Sequence, residues 1–156
     1  MARSYAVVTR TALAACIVAG LAPARVAAQD PTPDMEYRQT IMNSLGAHRG
    51  ALTAILNEDV PHQGHVLGHA LSLQQLSAMA SDIFPAGSLG EGSRALPDIW
   101  EDAAGFGEAL SAFQSAADAL AEAARAGDMT GVGDAAAGLG RTCGGCHRPF
   151  RARATG

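Results

Sequence analysis

From Met35 onward the apolar positions of this chain recur at spacings of three, four and seven, and polar residues fill the positions between them. Met35, Ile41, Met42, Leu45, Leu52, Ile55 and Leu56 predict a first helix that ends near Asn57. Thr32 is a candidate cap for it and Pro33 suits a first helical position. Beyond the break at Asn57 to Pro61, the residues Val66, Leu73, Leu76, Met79 and Ile83 mark a second helix that stops by Pro85. Pro85 to Pro97, with Gly87, Gly90 and Gly92, has the composition of a crossover loop. Asp98-Ile99-Trp100 begins a turn, and Phe106, Leu110, Phe113, Ala117, Leu120 and Ala124 then step by four, three, four, three and four through a third helix. Gly127 ends it, Asp128 or Thr130 can cap a fourth segment, and Val132, Leu139, Cys143, Cys146 and Phe150 give that segment an inward face. Four amphipathic helices joined by short connections and one longer one predict an all-α, antiparallel four-helix bundle.

Composition supports the helices and narrows the function. Of 156 residues, 34 are alanine and only 4% are aromatic, which disfavours a sandwich or barrel. All 11 basic residues are arginine, and they form no stripe able to neutralise phosphates, so nucleic acid is not an expected partner. Residues 1–28 carry Arg3 and Arg10, an apolar stretch from Thr11 to Leu21 and the ending Val26-Ala27-Ala28, the order of parts in a cleaved export signal. That stretch is short of the roughly 20 residues of a membrane span, so no stable span is expected. Leu13-Ala14-Ala15-Cys16 keeps open a lipoprotein anchored at Cys16. The expected organisation is therefore a signal over 1–28, a leader over 29–34 and a bundle domain over 35–153. Without the signal, 8 basic and 15 acidic residues remain, a net charge of −7.

Glycine sets a problem in the fourth helix. Gly131, Gly133, Gly138, Gly140, Gly144 and Gly145 all lie in it, and each costs about 1 kcal/mol relative to alanine inside a helix. Something beyond propensity must hold this segment. The run Cys143-Gly144-Gly145-Cys146-His147 supplies a candidate. On a helix, positions 143, 146 and 147 project from one face and can grip one flat object. Cys-x-x-Cys-His is the attachment signature of c-type haem: both thiols add to porphyrin vinyl groups and the adjacent imidazole ligates the iron. The competing readings are weaker. A thioredoxin-type dithiol follows a strand, which is absent here, and zinc requires four ligands. One haem c, held covalently by Cys143 and Cys146 with His147 on the iron, is the expected cofactor.

With that motif so near the C-terminus, the chain resembles the class II c-type cytochromes, the cytochrome c-prime family of exported four-helix bundles. The likeness spans residues 35–153 and includes Tyr37-Arg38-Gln39, Pro97-Asp98-Ile99-Trp100 and Phe150-Arg151. The resemblance implies that His147 is the proximal ligand, that Trp100 packs near the haem, and that Arg38 and Arg151 lie close to the macrocycle or its propionates. Pro149 is an awkward helix residue, and the last helix is expected to end there.

Family members differ at the sixth coordination position, where this chain aligns Met42. The leading expectation is a low-spin periplasmic electron carrier, not an enzyme, with His147 and Met42 as axial ligands and other redox proteins as partners. The alternative is a five-coordinate iron that binds nitric oxide or carbon monoxide, with Met42 only packing. Family members often dimerise through their first two helices, so a homodimer is a further expectation. His62, His65 and His69 follow Pro61 at helical spacing and can be read either as a zinc site or as a partly solvated helix start. His48 lies about 120° around the first helix from Met42 and is expected at the surface.

Overall fold

The computed structural model describes residues 32–153, and the proposed export signal, including Cys16, lies outside them. Helix α1 spans Pro33–Leu56. It starts two residues before Met35, with Pro33 in its first turn and Thr32 Oγ1 accepting from the Met35 amide at 3.2 Å. Its stripe of Met35, Ile41, Leu45, Leu52 and Ile55 is buried. A 3-10 turn over Gln63–His65 leads into α2, Val66–Met79, whose buried residues Val66, Ala70, Leu73 and Ser77 step by four, three and four. After the crossover, one turn at Asp98–Glu101 forms α3. The Asp102 carboxylate then caps α4, Ala103–Ala126, by accepting from the Gly105 amide at 3.0 Å. Gly127, at φ 69°, closes α4 in the left-handed conformation that glycine takes without penalty. Asp128 caps α5, Met129–Phe150, accepting from Gly131 at 3.0 Å.

Polar ties between helices fix their directions. Gln74 on α2 donates to Asp118, while Ser77 accepts from Gln114, so α2 and α4 run antiparallel. Phe106 stacks edge-on with Phe150 at 5.2 Å, while Ala123 lies beside Gly131, so α4 and α5 do as well. His48 pairs with His69, and Arg38 reaches Ile83, giving the same relation for α1 and α2. The four long helices form an antiparallel bundle around Leu52, Leu73, Leu120, Val132 and Leu139, each at most 2% exposed. Packing around the bundle is uneven. α5 lies closely on α4, α4 on α2 and α2 on α1, but α1 and α5 touch only lightly. No helix among the described residues is long and apolar enough to cross a membrane.

The far end of α5 departs from expectation. It continues through Pro149 to Phe150. A proline so near a helix end forfeits one backbone bond and crowds only the carbonyl of Gly145. Docking onto the crossover offsets that cost: Leu96 donates to the Phe150 carbonyl at 3.0 Å, and Ala152 to that of Arg94 at 2.7 Å. Ala95 and Arg151 form an antiparallel bridge between them.

Candidate haem site

The gap between α1 and α5 has a definite register. Arg49 of α1 lies over Gly140 of α5, where a Cβ would meet its Nη2 at 3.2 Å. The two helices are antiparallel, so seven residues back along α1 and seven forward along α5 reach the same level and the same faces. Those positions are Met42 and His147. A second observation, nearer the bundle end, agrees: Arg38, Phe84, Phe106 and Phe150 stack in series, with the Arg38 guanidinium 5.2 Å from the Phe84 ring centre. Arg49 was not among the residues expected at the site. Its seven-residue spacing from Met42 is the signal that places it on the same face.

On the α5 side of the gap, Cys143 and Cys146 are half-buried free thiols, and Cys143 packs against the apolar core. Burial pushes both thiols above their ordinary range; Arg49 opposes this at Cys143, while Cys143 adds to it at Cys146. His147 is exposed overall. Partial burial nevertheless pushes its imidazole down, and the charge of Arg94 adds to that shift, which favours the neutral form that ligates iron. A Cβ at Gly144 or Gly145 would meet nothing within 4 Å. Two thiols and an imidazole on one helix face, beside a side of the bundle that its own helices leave loosely closed, fit a c-type haem.

The other expected site residues have defined duties. Arg38, 4% exposed, donates from Nη1 to the Ile83 carbonyl at 3.1 Å and to Ser88 Oγ at 2.6 Å, and from Nη2 to the Ser88 carbonyl at 2.7 Å. Both terminal nitrogens therefore hold the crossover loop. Trp100 is half-buried and donates from Nε1 to the Phe84 carbonyl at 3.0 Å, bracing the same loop. Arg151 is exposed, with its backbone in the bridge to Ala95. All three gather at the end of the bundle where α5 finishes, and Arg38 and Trp100 spend their donors on protein carbonyls and hydroxyls.

Among the histidines, the expected grouping changes. His62 stacks on His65 at 5.1 Å between ring centres, but His69 pairs across the helices with His48, Nδ1 to Nδ1 at 3.0 Å. His48 is thus half-buried rather than a free surface residue, because the packing of α2 on α1 turns that flank inward. Among the described residues, no three histidine, cysteine, aspartate or glutamate side chains converge to hold a metal.

An all-helical bundle presenting two thiols and an imidazole beside a loosely closed gap defines a protein built to carry a covalent haem. The chain belongs to the cytochrome c' family, whose model, Cytochrome C', matches residues 34–151. The family carries haem c attached through two cysteines, here Cys143 and Cys146. A cytochrome c' of Pararhodospirillum photometricum is 35% identical over 122 residues, covering 78% of this chain and 98% of the relative. The crystal structure of cytochrome c' from Rubrivivax gelatinosus superposes with a TM-score of 0.74 at 31% identity, covering 80% of this chain and 98% of that one. Variants of the cytochrome c prime of Alcaligenes xylosoxidans, solved with nitric oxide and with carbon monoxide, match with a TM-score of 0.73 at 31% identity and the same coverage.

These relatives correct the leading functional expectation. An electron carrier with His147 and Met42 both on the iron has no coordination position left for a gas. The matching cytochromes c' include one captured with nitric oxide and with carbon monoxide, in line with the alternative, and nothing places this chain in the methionine-ligated branch. Met42 is half-buried and packs against the apolar core cluster, as methionine on an inward helix stripe does.

Proposed function

We propose that this chain is an exported monohaem protein that binds nitric oxide or carbon monoxide at a five-coordinate iron and catalyses no bond-making reaction. The observation that carries the reading is the capture of both gases by a cytochrome c prime that matches four-fifths of this chain. Haem, when attached, supplies an iron with one position open to a small diatomic ligand. Cys143 and Cys146 would hold the macrocycle covalently on α5, and His147 would ligate the iron. Met42, seven residues from Arg49 on the same face of α1 and packed against the core, would limit how large a ligand fits without ligating the iron. Arg38 and Trp100 hold the crossover loop against the end of α5, and Arg151 pins the chain that follows it; these residues keep the haem-bearing turn in place.

The signal-like order of parts in residues 1–28 supports export, with cleavage near Ala28 and the bundle domain over 35–153 delivered to the periplasm. The resemblance also supports a homodimer through α1 and α2. Titrating the reduced holoprotein with carbon monoxide tests the reading. One equivalent per haem, taken up saturably with a shift of the main absorption band, is expected. A spectrum unmoved by excess carbon monoxide would overturn it.

A further inference from the structure

The His48–His69 pair lies on the flank formed by α1 and α2 and takes no part in the haem site. Its two Nδ1 atoms are 3.0 Å apart. Both rings are half-buried, set edge-to-face at 60°, and border an open groove of about 380 Å³ that is also lined by His65, Gly64, Gly68 and Ser72. No carboxylate lines that groove. Two imidazoles in this relation share one proton, the Nδ1–H of one ring donating to the lone pair of the other. The same spacing suits a different occupant. Two nitrogens bound cis at about 2.0–2.1 Å to a square-planar ion stand about 2.9 Å apart, against about 3.3 Å around a tetrahedral one.

We propose that His48 and His69 form a two-imidazole chelate for a divalent transition metal of square-planar preference, copper(II) above all, with water from the groove completing the coordination. Nothing in the pair needs to be displaced except the shared proton, which passes to the outer Nε2 of its own ring, so each Nδ1 presents a lone pair. Turning each lone pair by about 45° from the line joining the two nitrogens, as a cis square-planar pair requires, aims both at one point. Gly64 and Gly68 leave the approach open, since a Cβ at either position would meet nothing within 4 Å. Copper(II) stands highest among the first-row divalent ions for nitrogen ligands, and imidazole suits it. The pair bridges α1 and α2, so the ion ties these two helices together.

Copper(II) added to the haem-loaded protein tests the site. One equivalent is expected to bind, with an electron paramagnetic resonance spectrum showing splitting from two nitrogens, and His48→Gln or His69→Gln is expected to weaken binding at least tenfold. His62→Gln, outside the groove, leaves it unchanged. The wild-type spectrum decides even where a variant folds poorly. No stoichiometric copper(II) binding, a spectrum without two nitrogen ligands, or binding of equal strength in well-folded His48→Gln and His69→Gln would overturn the proposal.

Discussion

Arg38 shows how far a residue's chemistry can depend on chain that is distant in sequence. Its partners Ile83 and Ser88 lie 45 and 50 residues away and belong to a loop whose path no local pattern sets. The family resemblance implies a place for this guanidinium near the macrocycle or its propionates, and its hydrogen bonds also make it the clamp of the crossover. Arg38→Ala leaves the Ile83 carbonyl and Ser88 without their charged donor and is expected to cost the holoprotein about 3 kcal/mol in denaturant unfolding, with the haem spectrum unchanged. A small loss of stability with an altered spectrum would instead assign it to the cofactor. The two attachment cysteines were legible because their spacing is itself the chemistry: Cys143 and Cys146, with the proposed ligand His147, share a face on any helix. Met42 was expected on the iron, an assignment that the gas-binding relatives do not support. His48 was misplaced because the angle from Met42 locates a side chain on its own helix and leaves open which neighbour covers it.

At the scale of elements, caps and stripes announced themselves. Thr32, Asp128 and Gly127 do what their side chains and φ preferences dictate. The end of α5 was less legible, because Pro149 is tolerated only through the docking of Phe150 and Ala152 on the crossover. The glycines of α5 leave it intrinsically weak. Gly133 has ordinary helical backbone and open space at its Cβ position, so Gly133→Ala is expected to raise stability by about 1 kcal/mol and the melting temperature by a few degrees. Haem attachment is expected to supply the rest of its stability. A Cys143→Ala, Cys146→Ala double variant is expected to lose far-ultraviolet helicity, up to the share of the 22 residues of α5. Native-level helicity in that variant would show that protein packing alone fixes the helix.

The whole molecule is three close helix interfaces and one loose one, with the thiols and the imidazole facing the loose one. Small residues suit this arrangement: alanine at Ala70, Ala117 and Ala121, each fully buried, draws α2 and α4 together. A chain with 4% aromatic residues also gains apolar surface from a large flat cofactor. The bundle itself was predictable from periodicity. The loose side was not, since it depends on how four helices share one core. The proposed five-coordinate iron, with His147 on one side and Met42 off it, is checked by the absorption spectrum of the purified exported protein in both oxidation states. Broad high-spin bands in both states are predicted. Sharp low-spin ferrous bands together with a ferric thioether-to-iron band toward the red edge would contradict it and place Met42 on the iron.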